Sequence, residues 1–146
     1  MTNRKFYIAA DHAGYDLKQH LLKAFSNLAI EDLGTHNPDR VDYPDFADRV
    51  AEKIQSDPSA IGILVCGSGQ GMAIRANRFS KVRAALCWSD EVAKLSREHN
   101  DANILCLGSR FIEPKLAESI LKSFISSEFE GGRHQARIDK LGRSSC

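Results

Sequence analysis

Ile61-Gly62-Ile63-Leu64-Val65-Cys66-Gly67-Ser68-Gly69-Gln70-Gly71-Met72 is the stretch on which the fold turns. Its first six residues are an unbroken apolar run, as expected of a strand buried on both faces of a sheet. The run stops at glycines in alternate positions, and a helical stretch is predicted to begin near Met72. A strand feeding a glycine turn and then a helix is the unit of a parallel sheet. Phe6 to Ala10 reads as a second buried strand, followed by Leu17, Leu21, Ala24, Phe25 and Leu28 at helical spacing. Ile30 to Leu33 is a weaker strand closed by Gly34. Phe46, Ala47, Val50, Ala51 and Ile54 form a helical stripe ended by Pro58. Val82 to Cys87 and Asn103 to Leu107 predict two more strands with a helix between them. Pro114 suits the first turn of a helix continued by Leu116, Ala117, Ile120, Leu121 and Phe124. The expectation is an α/β fold with five parallel strands and helices on both faces.

The length of 146 residues suits one domain, and 42% hydrophobic with 27% charged residues is ordinary globular composition. No repeat or linker divides the chain. A net charge of +1 argues against nucleic acid as the partner. No apolar run approaches the roughly 18 residues of a membrane span. The opening Met1-Thr2-Asn3-Arg4-Lys5 does not read as a secretory signal. The charge is uneven: residues 31–57 hold eight acids and three bases, and residues 131–146 hold four bases and one acid. Cys66, Cys87, Cys106 and Cys146 are far apart, so neither a disulfide framework nor a metal-ligand spacing is visible. A reducing, cytoplasmic setting is expected.

Ligands of such sheets bind beyond the carboxyl ends of the strands, near a switch in strand order. That directs attention to Asp11-His12, to Cys66 through Gly71, and to Gly108-Ser109-Arg110. Alternating glycines let the backbone approach a ligand, and their N–H groups ahead of a helix make a nest for negative charge. A cysteine at that junction is expected to favour its thiolate, and so to act as a base or nucleophile. A buried strand-end cysteine beside a tight turn is the plainer alternative. Cys87 and Cys106, inside apolar strands, read as core. Asp11 could be only a helix cap, and His99 could only satisfy helix-end carbonyls. Arg133 and Arg137 would share a helical face suited to phosphate, or be an exposed charged surface. His20 and His36 read as structural.

These motifs together resemble ribose-5-phosphate isomerase type B, in the family that also contains galactose-6-phosphate isomerase subunits. The matching segments are Asp11 to Tyr15, Asp42-Tyr43-Pro44, Cys66 to Gly71 with Asn77, and Ser96 to Asn103. Gly108-Ser109-Arg110 and Glu130 to His134 with Arg137 complete the series, in the family's order. The resemblance implies a three-layer α/β/α Rossmann-like fold with a five-stranded parallel sheet. It implies interconversion of D-ribose 5-phosphate and D-ribulose 5-phosphate through a cis-enediolate, as in the pentose phosphate pathway, with no cofactor and no metal. Cys66 would be the carbon base and His99 the ring-opening acid. The backbone of Gly67, Ser68, Gly69, Gln70 and Gly71 would stabilise the enediolate. Asp11 and Asn100 would contact sugar oxygens. His12, Arg110, Arg133 and Arg137 would hold phosphate, so that the tail from 131 to 146 serves the phosphate site. Tyr43 and His134 would line the site. A homodimer or tetramer with shared active sites is implied, with a phosphosugar as the small-molecule partner. Gln70 and Arg75 depart from the common pattern, and Arg75 could reshape the pocket rim. An isomerase of allose 6-phosphate or galactose 6-phosphate, a non-catalytic phosphosugar-binding module and a flavodoxin-like nucleotide-binding domain remain open alternatives.

Overall fold

A computed structural model describes residues 3–144. Met1 and Thr2, which belong to the N-terminal reading, and Cys146 lie outside the described residues. Five strands form one parallel sheet: β1 (Phe6–Ala10), β2 (Ile30–Asp32), β3 (Ile61–Cys66), β4 (Ala84–Leu86) and β5 (Ile104–Gly108). Their order is β2-β1-β3-β5-β4. Six helices alternate with or follow them: α1 (Tyr15–Ala24), α2 (Tyr43–Ser56), α3 (Gln70–Ala76), α4 (Asp90–Asn100), α5 (Pro114–Ser126) and α6 (Arg133–Leu141).

Side chains of a strand alternate between faces, and both faces here are apolar. Ile61, Ile63 and Val65 of β3 pack with Leu17 and Leu21 of α1, Ala93 of α4 and Ile120 and Phe124 of α5. Leu64 and Cys66 face the other way, into a core with Val50 and Ile54 of α2 and Met72 and Ala76 of α3. Two cores around a fully buried central strand explain its unbroken apolar sequence. Gly62 is required by this packing, because a Cβ there would lie 2.5 Å from Val50 Cγ1. The three-layer expectation therefore holds.

Three elements differ from the periodicity by two residues or more at one end, while β2 and β5 shift by a single residue. The first helix stops at Ala24 instead of running to Leu28. Phe25 N–H makes the last helical bond to Leu21, and Leu28 N–H turns back to Phe25. Ser26 and Asn27 favour such turns by competing for backbone groups. The second helix on the other face begins at Gln70, two residues before Met72, because Gly69 with φ of 77° starts it. The fourth strand covers Ala84–Leu86 alone. Side chains hold its open edge and its start: Asn77 bonds the Ala84 N–H and carbonyl at 2.8 and 2.9 Å, and Asn103 Oδ1 accepts from Arg83 N–H at 2.8 Å.

No helix of the described residues is long and apolar enough to cross a membrane. Cys66, Cys87 and Cys106 are free and buried. Burial pushes the Cys87 thiol up to about 11 and the Cys106 thiol well above its ordinary value, as expected of inert core cysteines.

Candidate active site

The strand order reverses between β1 and β3: the chain leaves β1 for β2 on one side and returns to β3 on the other. At the carboxyl ends of these two strands lies a cavity of about 300 Å³. Asp11, His12, Tyr43, Cys66, Gly67, Ser68, Gly71 and Arg110 line it, together with Ala13. Cys66 ends β3, and its sulfur accepts a hydrogen bond from Gly69 N–H at 3.2 Å. The loop that supplies it is tied to the end of β5. Ser109 and Arg110 N–H groups donate to the carbonyls of Cys66 and Gly67 at 2.9 and 3.0 Å.

The glycines make this loop possible. A Cβ on Gly67 would sit 3.0 Å from the Arg110 guanidinium, so that fork lies across the loop backbone. A Cβ on Gly71 would lie 2.3 Å from the Tyr43 ring. Ser68 Oγ accepts from Gln70 N–H at 3.3 Å. Gln70 itself lines a neighbouring recess with Leu86, Trp88 and Phe111, apart from the cavity of Cys66.

Asp11 is buried, and its Oδ1 accepts from Gly14 N–H at 3.0 Å. It thus closes the turn before α1 while lining the cavity; the N-cap of α1 is Gly14, with no side-chain bond. His12 Nδ1 lies 3.2 Å from both the N–H and the carbonyl of Val41. Val41 therefore has a partner atom for either protonation state of that nitrogen, which fixes the ring.

The remaining expected residues are elsewhere. In a parallel sheet a crossover helix runs back to the edge where strands begin. His99 and Asn100 end α4, and Asn103 just beyond bonds to Gly62 N–H near the start of β3. Cys66 ends the same strand, so the stretch of β3 from Gly62 to Cys66 separates the two places by roughly 13 Å at about 3.3 Å per residue. Glu130 N–H donates to Glu98 O at 3.0 Å, which brings the segment before α6 to the same helix end. There the His99 and His134 rings stack, with centroids 4.4 Å apart. Glu130 Oε1 lies 3.8 Å from His99 Nε2 and 3.6 Å from His134 Nε2. Arg133 and Arg137 are both exposed on α6, one turn apart. Burial first, then the positive charges of Arg133 and His99, hold His134 below the usual imidazole range, against the pull of Glu130.

One chain therefore carries two groups of candidate residues at opposite ends of its sheet. The carboxyl end has Cys66, Asp11, His12, Tyr43 and Arg110. The amino end has His99, Asn100, Arg133, His134 and Arg137. Arg75, the residue set to reshape the rim, is turned to Asp48, with Nε 2.6 Å from Oδ1. Sequence reasoning assigned no part to Val41 or Glu130. Glu130 could have been noticed as an acid four residues before His134; Val41 left no signal, because it acts through its backbone.

Comparison with known proteins agrees with this architecture. Residues 6–141 match the family model described as Ribose/Galactose Isomerase. The ribose-5-phosphate isomerase B of Escherichia coli is 38% identical over 140 residues, covering 94% of each chain. The ribose 5-phosphate isomerase of Thermotoga maritima superposes with a TM-score of 0.92 at 44% identity, covering 97% of this chain and 99% of that one. The ribose-5-phosphate isomerase B of Mycoplasma genitalium, solved with bound ribulose-5-phosphate, gives a TM-score of 0.94 at 41% identity, covering 98% and 97%. A parallel sheet in this order, a cysteine-ended central strand and a match across nearly the whole chain lead to one conclusion: the protein belongs to the ribose/galactose isomerase family.

Proposed function

We propose that the protein interconverts D-ribose 5-phosphate and D-ribulose 5-phosphate, in a site completed by two copies of the chain. The observation that carries the reading is Cys66 at the end of β3, with Gly69 N–H on its sulfur and Asp11, His12 and Arg110 around its cavity. The names of the E. coli and M. genitalium relatives support a pentose phosphate as substrate.

The closed sugar opens first. His99 of a second copy gives a proton to the ring oxygen as the anomeric hydroxyl loses its own. Asp11 and Asn100 hold sugar hydroxyls. The Cys66 thiolate then removes the proton from carbon 2, and the electron pair forms the bond between carbons 1 and 2. Oxygen 1 becomes negative, beside the N–H groups of the Gly67–Gly71 loop. The proton on oxygen 2 passes to oxygen 1, and Cys66 returns its proton to carbon 1. General base catalysis contributes typically about 10²–10⁴-fold, and one preorganised donor at the oxyanion about 10²–10³-fold. His12 and Arg110 of one copy, with Arg133 and Arg137 of the other, clamp the phosphate; its binding energy positions the reacting carbons. The free buried thiols suit a reducing cytoplasm.

The test is a coupled isomerase assay on ribose 5-phosphate with a chelator present, beside allose 6-phosphate and galactose 6-phosphate. Turnover should be fastest on the pentose. Cys66→Ala should lose at least about 100-fold in turnover while still binding ribose 5-phosphate by calorimetry. Near-normal turnover by that variant would remove Cys66 as the base, and preference for a six-carbon sugar would redirect the substrate.

A further inference from the structure

The amino-end cluster holds an unanswered group. His134 is 5% exposed, and its Nε2 is buried without a hydrogen-bond partner among the described residues. A buried polar atom left unpaired in a native structure calls for an occupant such as a water or an ion. That nitrogen faces Glu130 Oε1 at 3.6 Å, and His99 Nε2 faces the same oxygen at 3.8 Å. Both separations are too long for hydrogen bonds. All three donor atoms lie within 4.8 Å of one another. We propose that His99, Glu130 and His134 form a site for a zinc-type transition cation, and that filling it withdraws His99 from the reaction.

Two imidazoles and one carboxylate are a donor set that zinc uses, with a fourth position left to water. Zinc bonds such atoms at about 2.0–2.2 Å, which places tetrahedral donors roughly 3.4 Å apart. The two distances to Glu130 are already close to that spacing. The rings are only 16° from parallel, so one must tilt before both lone pairs reach one ion. His99, half-exposed at the end of α4, has the room to tilt; His134 is packed.

The surrounding charge selects the cation. Arg133 and Arg137 both act on His134 and oppose any positive ion. Magnesium and calcium depend on several oxygen ligands, and a cluster with one carboxylate offers them little. Zinc, cobalt, nickel and copper bind imidazole strongly enough to tolerate that repulsion.

Metal binding stands on this geometry alone, whereas the effect on turnover rests on the proposed function. The two are tested separately. The full chain carrying Cys66→Ala, which removes a competing thiolate, is titrated with Co²⁺ and followed by visible absorption. Bands of a tetrahedral nitrogen–oxygen site should appear. They should weaken in apparent affinity by at least about tenfold when Glu130→Gln or His134→Gln is added. No bands, or bands unchanged by both substitutions, would overturn the site. For turnover, Zn²⁺ should inhibit the ribose 5-phosphate reaction of the otherwise unaltered chain, and a chelator should restore it. The half-inhibiting concentration should rise at least about tenfold in Glu130→Gln, each protein measured against its own metal-free rate. Equal inhibition of both proteins would overturn the link to His99. An absence of isomerase activity on every sugar phosphate would overturn the functional reading, and the Co²⁺ titration would still decide the site.

Discussion

His134 shows how a single buried side chain ties folding to pH. Burial, with Arg133 and His99 nearby, lowers its pKa in the folded chain below the usual 6.5. A histidine of that kind binds fewer protons folded than unfolded, so acid favours unfolding. Its stabilising contribution is full above about pH 6.5 and is lost as pH falls from there through the folded value. His134→Gln should therefore lose less stability than the unaltered chain between pH 7 and pH 5. Thermal melts at both pH values measure this, and equal losses in the two proteins would contradict it. His134 itself could be named from its sequence motif, as could Cys66, Asp11 and His12. Their surroundings could not. Glu130 meets two histidines only because its N–H bonds to Glu98, far from it along the chain. Spacing could show Glu130 four residues before His134, but not that His99 joins them.

The elements were legible where one force dominated. The β3 run is apolar because helices cover both its faces, and its boundaries follow directly. The start of β4 was not legible, since the Asn103 side chain takes the N–H of Arg83 just before it. The turn from β3 into α3 depends on one glycine. Gly69 has φ of 77°, and a Cβ there would lie 2.5 Å from Leu86 Cδ1 and 3.0 Å from the Leu107 carbonyl carbon. Gly69→Ala should cost about 2 kcal/mol or more from left-handed strain and overpacking together. It should lower turnover further, because the N–H on Cys66 sulfur belongs to the same residue. Gly142→Ala is the contrast: φ is −85° and the nearest atom to a new Cβ is 3.7 Å away. That change should stay within about 0.5 kcal/mol. Urea denaturation of both variants checks the pair, and similar costs at the two positions would refute the local account.

At the scale of the whole molecule, the net charge of +1 conceals a division that is also spatial. The thiol, Asp11 and His12 stand where strands end, and His99 with the basic face of α6 stands where they begin. Parallel topology enforces that separation, because each crossover helix returns to the starting edge. Under the proposed function, Cys66 and His99 stand at opposite ends of one sheet, so one chain would not perform the chemistry alone. Two copies meeting across a twofold axis would bring each thiol to a partner's histidine and make two equal sites. Co-expression of Cys66→Ala with His99→Asn tests this most directly, with differently tagged chains so that mixed dimers can be purified. Each variant alone should be inactive. A mixed dimer has one site carrying both changes and one carrying neither, so it should recover about half the activity of the unaltered dimer. A mixed dimer as inactive as its parents would contradict the shared site, and with it the central claim that two chains complete one isomerase centre.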